Sequence, residues 1–407
     1  MNLFDMMAIL LSVAAIFSYI NHRYFKLPSA IGLILLAIGM SIVMIILNVM
    51  GFPTRDLAGK FLDHIDFSST LMHGMLSFLL FAGALHINLE DLLSVKWVVS
   101  FLATAGVLGC TLITGVLMYL IFLWLSIPVP LIYCFLFGAL ISPTDPIAVL
   151  GILKRMKIPK SLETKIAGES LFNDGMGIVL FIVLLQIATS GNHFGFASMV
   201  LLFVKEVLGG LLLGITVGWL VYRMMKSINQ YQVEILLTLA LVSGAYALAL
   251  KIHISGPIAS VVSGLLIGNH GRRFAMSDQT RLHLDLFWEL VDEILNAVLF
   301  VLIGMEILIV PFQYQYLIAG TMAILIVLFA RWVSVGSAVF LLGFVRDFSK
   351  NAITVLTWGG LRGGLSVAMV LSLPGGPVRD VLLSVTYSVV VFSLVVQGLT
   401  IQRVISR

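Results

Sequence analysis

The chain has 407 residues, of which 60% are apolar and only 11% charged, against roughly 45–50% and 25% in an ordinary soluble domain. Together with a mean hydropathy of +1.10, this excludes a water-soluble globule, a disordered chain and a nucleic-acid-binding module. The net charge of +4 matters less than where the charges lie.

A spanning helix needs about 20 apolar residues. Continuous hydrophobicity predicts thirteen such helices, at 2–20, 29–50, 69–88, 97–125, 130–153, 161–189, 196–223, 232–250, 255–268, 281–306, 312–343, 350–373 and 378–401. The ninth is short. The expected fold class is an all-α polytopic protein embedded in membrane lipid.

Charge bias sets an orientation. With the N-terminus outside, the inner loops hold seventeen of the 24 Lys and Arg residues. The outer loops hold Arg55, Lys60, Lys251 and Arg379, and the remaining three, Lys205, Arg331 and Arg362, fall within spans. That is a positive-inside pattern, and an odd number of spans then leaves the C-terminus in the cytoplasm.

Two spans read as broken. The fifth contains Ser142-Pro143-Thr144-Asp145-Pro146, whose two prolines remove backbone donors and oppose a continuous helix. The twelfth contains Gly359-Gly360-Leu361-Arg362-Gly363-Gly364, with four glycines in six residues. If spans 1–6 and 8–13 are two halves, each break falls in the fifth span of its half, and the two cross in opposite directions. Interrupted helices at matching positions of inverted halves point to a transporter's binding site near the bilayer midplane.

Five ionisable residues fall inside spans near these breaks: Asp145, Glu169, Asp174, Arg331 and Arg362. Each costs at least ~2.5–3.5 kcal/mol at the bilayer centre, so each must face protein or water and be paired, protonated or occupied by an ion. In Gly168-Glu169-Ser170-Leu171-Phe172-Asn173-Asp174-Gly175, Ser170 and Asp174 share one helix face, and Glu169 and Asn173 share the next. The fifth-span break adds Asp145 and the freed carbonyls of Pro143 and Thr144. Carboxylates, a hydroxyl and carbonyls are hard oxygen ligands suited to a small non-transition cation. Three carboxylates and two guanidiniums leave the set one positive charge short, which one proton or one monovalent cation would supply. Burial and a like-charged neighbour raise a carboxylate's pKa, so proton and cation would compete for the same oxygens.

Ser-Pro-Thr-Asp-Pro at 142–146, Gly-Glu-Ser-Leu-Phe-Asn-Asp-Gly at 168–175, Phe-Trp-Glu-x-x-Asp-x-x-Leu-Asn at 287–296 and Gly-Gly-Leu-Arg-Gly-Gly at 359–364 together resemble monovalent cation:proton antiporters of the NhaP/NHE type. The resemblance implies a thirteen-helix fold of two inverted repeats with two unwound crossing helices, the NhaA-like antiporter fold. It further implies an interface domain at 1–96 and 191–306 that forms a homodimer, and an ion-carrying core at 97–190 and 307–407. By position, Asp174 would be the main cation and proton carboxylate, with Asp145, Ser170 and the Thr144 carbonyl completing the Na⁺ shell. Glu169 would pair with Arg331. Arg362 would offset the negative ends of half-helices. Asn173, where electrogenic relatives carry a second aspartate, implies electroneutral one-for-one exchange. The resemblance also implies a prokaryotic inner-membrane location. One departure is the third span, where Phe81-Ala82-Gly83-Ala84 offers no acidic ligand.

On span 10, Asp285, Glu289, Asp292 and Asn296 align on one face. This face reads either as a negatively lined funnel or as a polar seam against another helix. Cys110 and Cys134 sit in apolar runs, and no phosphate-binding loop or His-Glu-x-x-His is present. No resident cofactor is expected. The leading expectation is Na⁺/H⁺ exchange by alternating access, with K⁺ or Li⁺ as other cargo for the same oxygens. An alternative from another class is an intramembrane aspartyl protease using Asp145 and Asp174 as a proton-sharing pair, which would leave both arginines without a task.

Overall fold

The computed structural model describes residues 3–52, 68, 70–145, 149, 160–190, 196–311, 313–343 and 351–405. Pro146 therefore lies outside the described residues, as do Arg55, Lys60, Lys154, Arg155, Lys157, Arg346, Lys350 and Arg407, on which part of the charge-bias reading rests.

Helix is the regular structure throughout the described residues. In chain order it comprises α1 (Leu3–Ile20), α2 (Ser29–Val49), α3 (Leu76–Leu85), α4 (Leu89–Ser94), α5 (Lys96–Phe101), α6 (Val107–Trp124) and α7 (Leu131–Ile141). The chain continues with α8 (Lys160–Ser190), α9 (Phe196–Lys226), α10 (Tyr231–Ile252), α11 (Gly256–Leu266), α12 (Arg272–Phe274), α13 (Asp278–Glu306) and α14 (Tyr314–Leu342). The last part holds α15 (Ala352–Trp358), α16 (Gly364–Leu371), α17 (Pro377–Phe392) and α18 (Gly398–Ile405).

Each of the thirteen expected runs contains helix, but only 8 helices among the described residues are long and apolar enough to cross a membrane unaided. The others fall short for identifiable reasons. Expected spans 5 and 12 are interrupted by the proline and glycine motifs, α3 and α11 are short, and α13 carries Asp285, Glu289, Asp292 and Glu293 along its length. Many large apolar side chains point outward, such as Leu201 at 70% and Leu236 at 63% exposed. A water-soluble monomer rarely tolerates such continuous apolar surface.

The helices gather into two compact units. The first comprises Met1–Met72, Gly109–Ile158 and Leu295–Arg407, and the second His73–Leu108 and Pro159–Ile294. In the first, α14 packs along α17, α15 lies on α14, and α16 lies between α7 and α17. Tyr387 on α17 donates its hydroxyl to the Ile303 carbonyl at 3.0 Å.

In the second unit, α11 is the centre, packed by α3, α9 and α10. Small residues permit this closeness. A Cβ on Gly210 or Gly214 of α9 would sit 2.6 Å from the carbonyl of Ser255 or Ala259, the small-residue contact by which membrane helices associate. Beside this seam Phe81, Tyr222, Met225, Leu241 and Trp288 form a buried cluster. Trp288 satisfies its indole N–H on the Thr238 hydroxyl at 3.0 Å.

Candidate functional site

Both broken spans belong to the first unit, and they meet at their breaks. Helix α7 ends at Ile141, two residues before Pro143, and residues 142–145 are not helical. The second break runs over 359–363, between α15 and α16. The two unwound strands of chain are joined backbone to backbone: the Asp145 N–H donates to the Leu361 carbonyl at 2.7 Å.

Arg362 crosses to the other break. Its Nη1 donates to the carbonyls of Ser142 at 2.6 Å and Pro143 at 2.9 Å, while its own N–H donates to the Ser393 hydroxyl at 2.9 Å. Arg362 is 2% exposed. It thus satisfies the carbonyls that the unwound segment leaves without helical partners and places a positive charge just beyond the negative C-terminal end of α7. Arg331 caps the other half-helix within its last turn. From α14 its Nη2 donates to the Leu356 carbonyl, in the last turn of α15, at 3.1 Å. Both arginines border one cavity of about 10 Å³, the size of a single water.

Two glycines shape this junction by what they lack. A Cβ on Gly363 would stand 2.6 Å from Asp145 Oδ2 and 2.8 Å from Asp145 Cβ. One on Gly360 would stand 2.8 Å from Arg331 Nε. The backbone at Gly363 is extended, at φ −120°, so close approach and not dihedral freedom calls for glycine there. Thr144 and Ser142 are buried and Asp145 is partly open.

The other carboxylates sit on α8 in the second unit. This helix runs unbroken for 31 residues and carries Glu169, Ser170, Asn173 and Asp174 on two adjacent faces. Glu169, Ser170 and Asn173 are at most 2% exposed, whereas Asp174 is partly open. The stripe is bracketed by tight packing. A Cβ on Gly168 would lie 2.6 Å from Leu92 Cδ1, and one on Gly175 would lie 3.2 Å from Ile258. At each of these two motifs, then, the aspartate is partly open while the polar residues beside it, Ser142 and Thr144 in one and Glu169, Ser170 and Asn173 in the other, are buried.

The acidic face of α13 is less uniform than its sequence. Asp285 forms an ion pair with Arg272, which cancels one charge of the expected funnel. Glu289 is exposed, Asp292 is half-buried, and Asn296, in the first unit, is buried. The sequence reading passed over Glu234, which is fully buried at the start of α10. Its Oε1 accepts from the Thr280 hydroxyl at 3.2 Å and the Gln230 N–H at 3.1 Å. It also missed the Ser393 hydroxyl, which accepts from the Arg362 N–H. An isolated serine in an apolar run carries no spacing signal. No cluster of three His, Cys, Asp or Glu fit to hold a metal ion occurs among the described residues. The expected Na⁺ shell calls for two carboxylates only.

The family model described as "Sodium/hydrogen exchanger, transmembrane" matches residues 10–407. The chain is 48% identical to the Na⁺/H⁺ antiporter NhaP of Pseudomonas aeruginosa, over 99% of this chain and 96% of that protein. It is 36% identical to the Na⁺/H⁺ antiporter NhaH of Halobacillus dabanensis, over 99% of this chain and 96% of that one. Its fold matches the sodium proton antiporter MjNhaP1 of Methanocaldococcus jannaschii with a TM-score of 0.75 at 20% identity, covering 100% of this chain and 99% of that one. With both breaks, the α8 motif and the matched length in hand, the chain belongs to the sodium/hydrogen exchanger family of membrane transporters.

Proposed function

We propose that the protein exchanges one Na⁺ for one H⁺ across the membrane, with Asp174 as the carboxylate that both ions use. Asp145, Ser170 and the Thr144 carbonyl complete the oxygen shell, Glu169 pairs with Arg331, and Asn173 keeps the site at a single titrating aspartate on α8. The observation that carries this reading is the pair of partly open aspartates, each set among sealed polar neighbours. The names borne by the two relatives at 48% and 36% identity support Na⁺ as cargo. K⁺ is the second reading for the same oxygens, because ligand type alone does not discriminate alkali ions. A transporter family has no place for the aspartyl protease reading.

The finer architecture belongs to the same proposal: thirteen spans in two inverted repeats of NhaA-like fold, in the inner membrane of a prokaryote, N-terminus outside and C-terminus cytoplasmic. Residues 97–190 and 307–407 form the moving core, and 1–96 and 191–306 the interface domain of a homodimer. This partition is by function and does not follow the packing boundaries at 72, 108, 158 and 294. Cytoplasmic Na⁺ binds deprotonated Asp174, the core moves, and an outside proton displaces the ion. Glu289 and Asp292 attract cations toward the cytoplasmic entrance, with Asn296 deeper on the same helix.

The experiment is Na⁺-driven proton movement in proteoliposomes holding a pH dye. Asp174→Asn, which keeps shape and loses charge, should fall to the rate of empty liposomes while remaining folded. Full exchange by that variant would remove Asp174 from its role. A one-for-one carrier should also show no change in rate when a membrane potential is imposed.

A further inference from the structure

Away from the acidic stripe, the second unit holds a cleft of about 420 Å³ bordered by His86, Asn88, Asn269, Arg272, Arg273 and Arg281. That volume lies in the range of ligand pockets. Its wall is tied together. Asn269 donates through Nδ2 to the carbonyls of Ile87 and Leu265, both at 2.9 Å, and accepts from the Leu89 N–H at 2.7 Å. Arg281 donates from Nε to the Arg272 carbonyl at 3.0 Å.

Charge in the cleft is out of balance. Arg281 pairs with Asp278 at 3.0 Å and Arg272 pairs with Asp285. Two carboxylates answer two of the three guanidiniums. Arg273 is exposed, stands 5.3 Å from the Phe274 ring, and forms no ion pair among the described residues. Next to the cleft, Leu282 and Leu286, one turn apart on α13, are 59% and 50% exposed. In a membrane transporter such side chains meet acyl chains. The cleft therefore opens where an apolar helix face gives way to a basic loop, which is the level of lipid headgroups.

We propose that this cleft binds a phosphate group carrying net negative charge. Guanidinium forks match phosphate oxygens in bidentate geometry, and basic pockets between spans on the cytoplasmic side suit anionic headgroups. The same chemistry could be supplied by an anionic phospholipid or by free phosphate. The exposed leucines favour the lipid.

Native mass spectrometry of the full chain in detergent distinguishes them, using phosphatidylglycerol, phosphatidylcholine and inorganic phosphate as separate probes. The expected result is phosphatidylglycerol retained where phosphatidylcholine is lost, with binding roughly tenfold weaker in Arg273→Gln and wild-type melting temperature in that variant. Retention of inorganic phosphate without lipid, again lost in Arg273→Gln, would support the site and assign it to the soluble source. Equal retention of both lipids, absence of any adduct, or unchanged binding by Arg273→Gln would overturn it. Arg281→Gln serves as the second variant. It should weaken the same adduct, and unaltered binding there would count against the cleft.

Discussion

The two units present polar groups at membrane depth by opposite means. In the first, the chain gives up its helix at 142–145 and 359–363 and offers backbone oxygens, which two buried guanidiniums then hold in place. In the second, α8 keeps its helix intact and offers only side chains, fixed by glycine contacts at either end of the stripe. Backbone carbonyls do not titrate, whereas carboxylates do. On the proposed function, geometry comes from the broken pair and proton chemistry from the aspartates, so substitutions in the two regions should fail differently.

The largest effect should come from Arg362→Gln. It leaves the Ser142 and Pro143 carbonyls short of a charged donor in a buried place, at about 1.5–3 kcal/mol for each such bond. Thermal unfolding in detergent should show a clearly lowered midpoint along with lost exchange, and an unchanged midpoint would mean the breaks are held by something else. Gly363→Ala should act more narrowly, since its methyl group pushes directly on the Asp145 carboxylate. Half-saturating Na⁺ should rise about tenfold, equivalent to ~1.4 kcal/mol, with little loss of stability.

Gly168→Ala tests the other region. Its methyl group meets Leu92 and Val99 and no polar atom, so overpacking of about 1–3 kcal/mol should lower stability while Na⁺ half-saturation stays within twofold. Equal loss of Na⁺ affinity in the two glycine variants would erase the distinction between the regions. Smallest of all should be Glu289→Gln. The group is exposed, and screening confines its influence to low ionic strength. Initial exchange rates should drop slightly at low salt and match wild type at about 0.15 M.

Much of this was legible because lipid depth penalises anything polar. Asp145, Glu169, Asp174, Arg331 and Arg362 stand out from their apolar surroundings, and proline and glycine runs announce the breaks. What was not legible is which partner each polar group takes. Arg331 was read only as a partner for Glu169, whereas its Nη2 donates to the Leu356 carbonyl, and no spacing rule links residues 25 apart. Asp285 was read as part of an acidic face before Arg272, on another helix, claimed it. A hydropathy window averages over a break, so in spans 5 and 12 it was the proline and glycine runs, and not hydropathy, that marked where the chain is unwound.

The competition between H⁺ and Na⁺ for one set of oxygens is measured most directly by Na⁺ transport kinetics at a series of pH values. Half-saturating Na⁺ should climb tenfold for each unit of falling pH on the acid side of the site's pKa, while the maximal rate stays constant. A half-saturation that ignores pH while the maximal rate collapses would mean that protons act elsewhere, and that one carboxylate does not serve both ions.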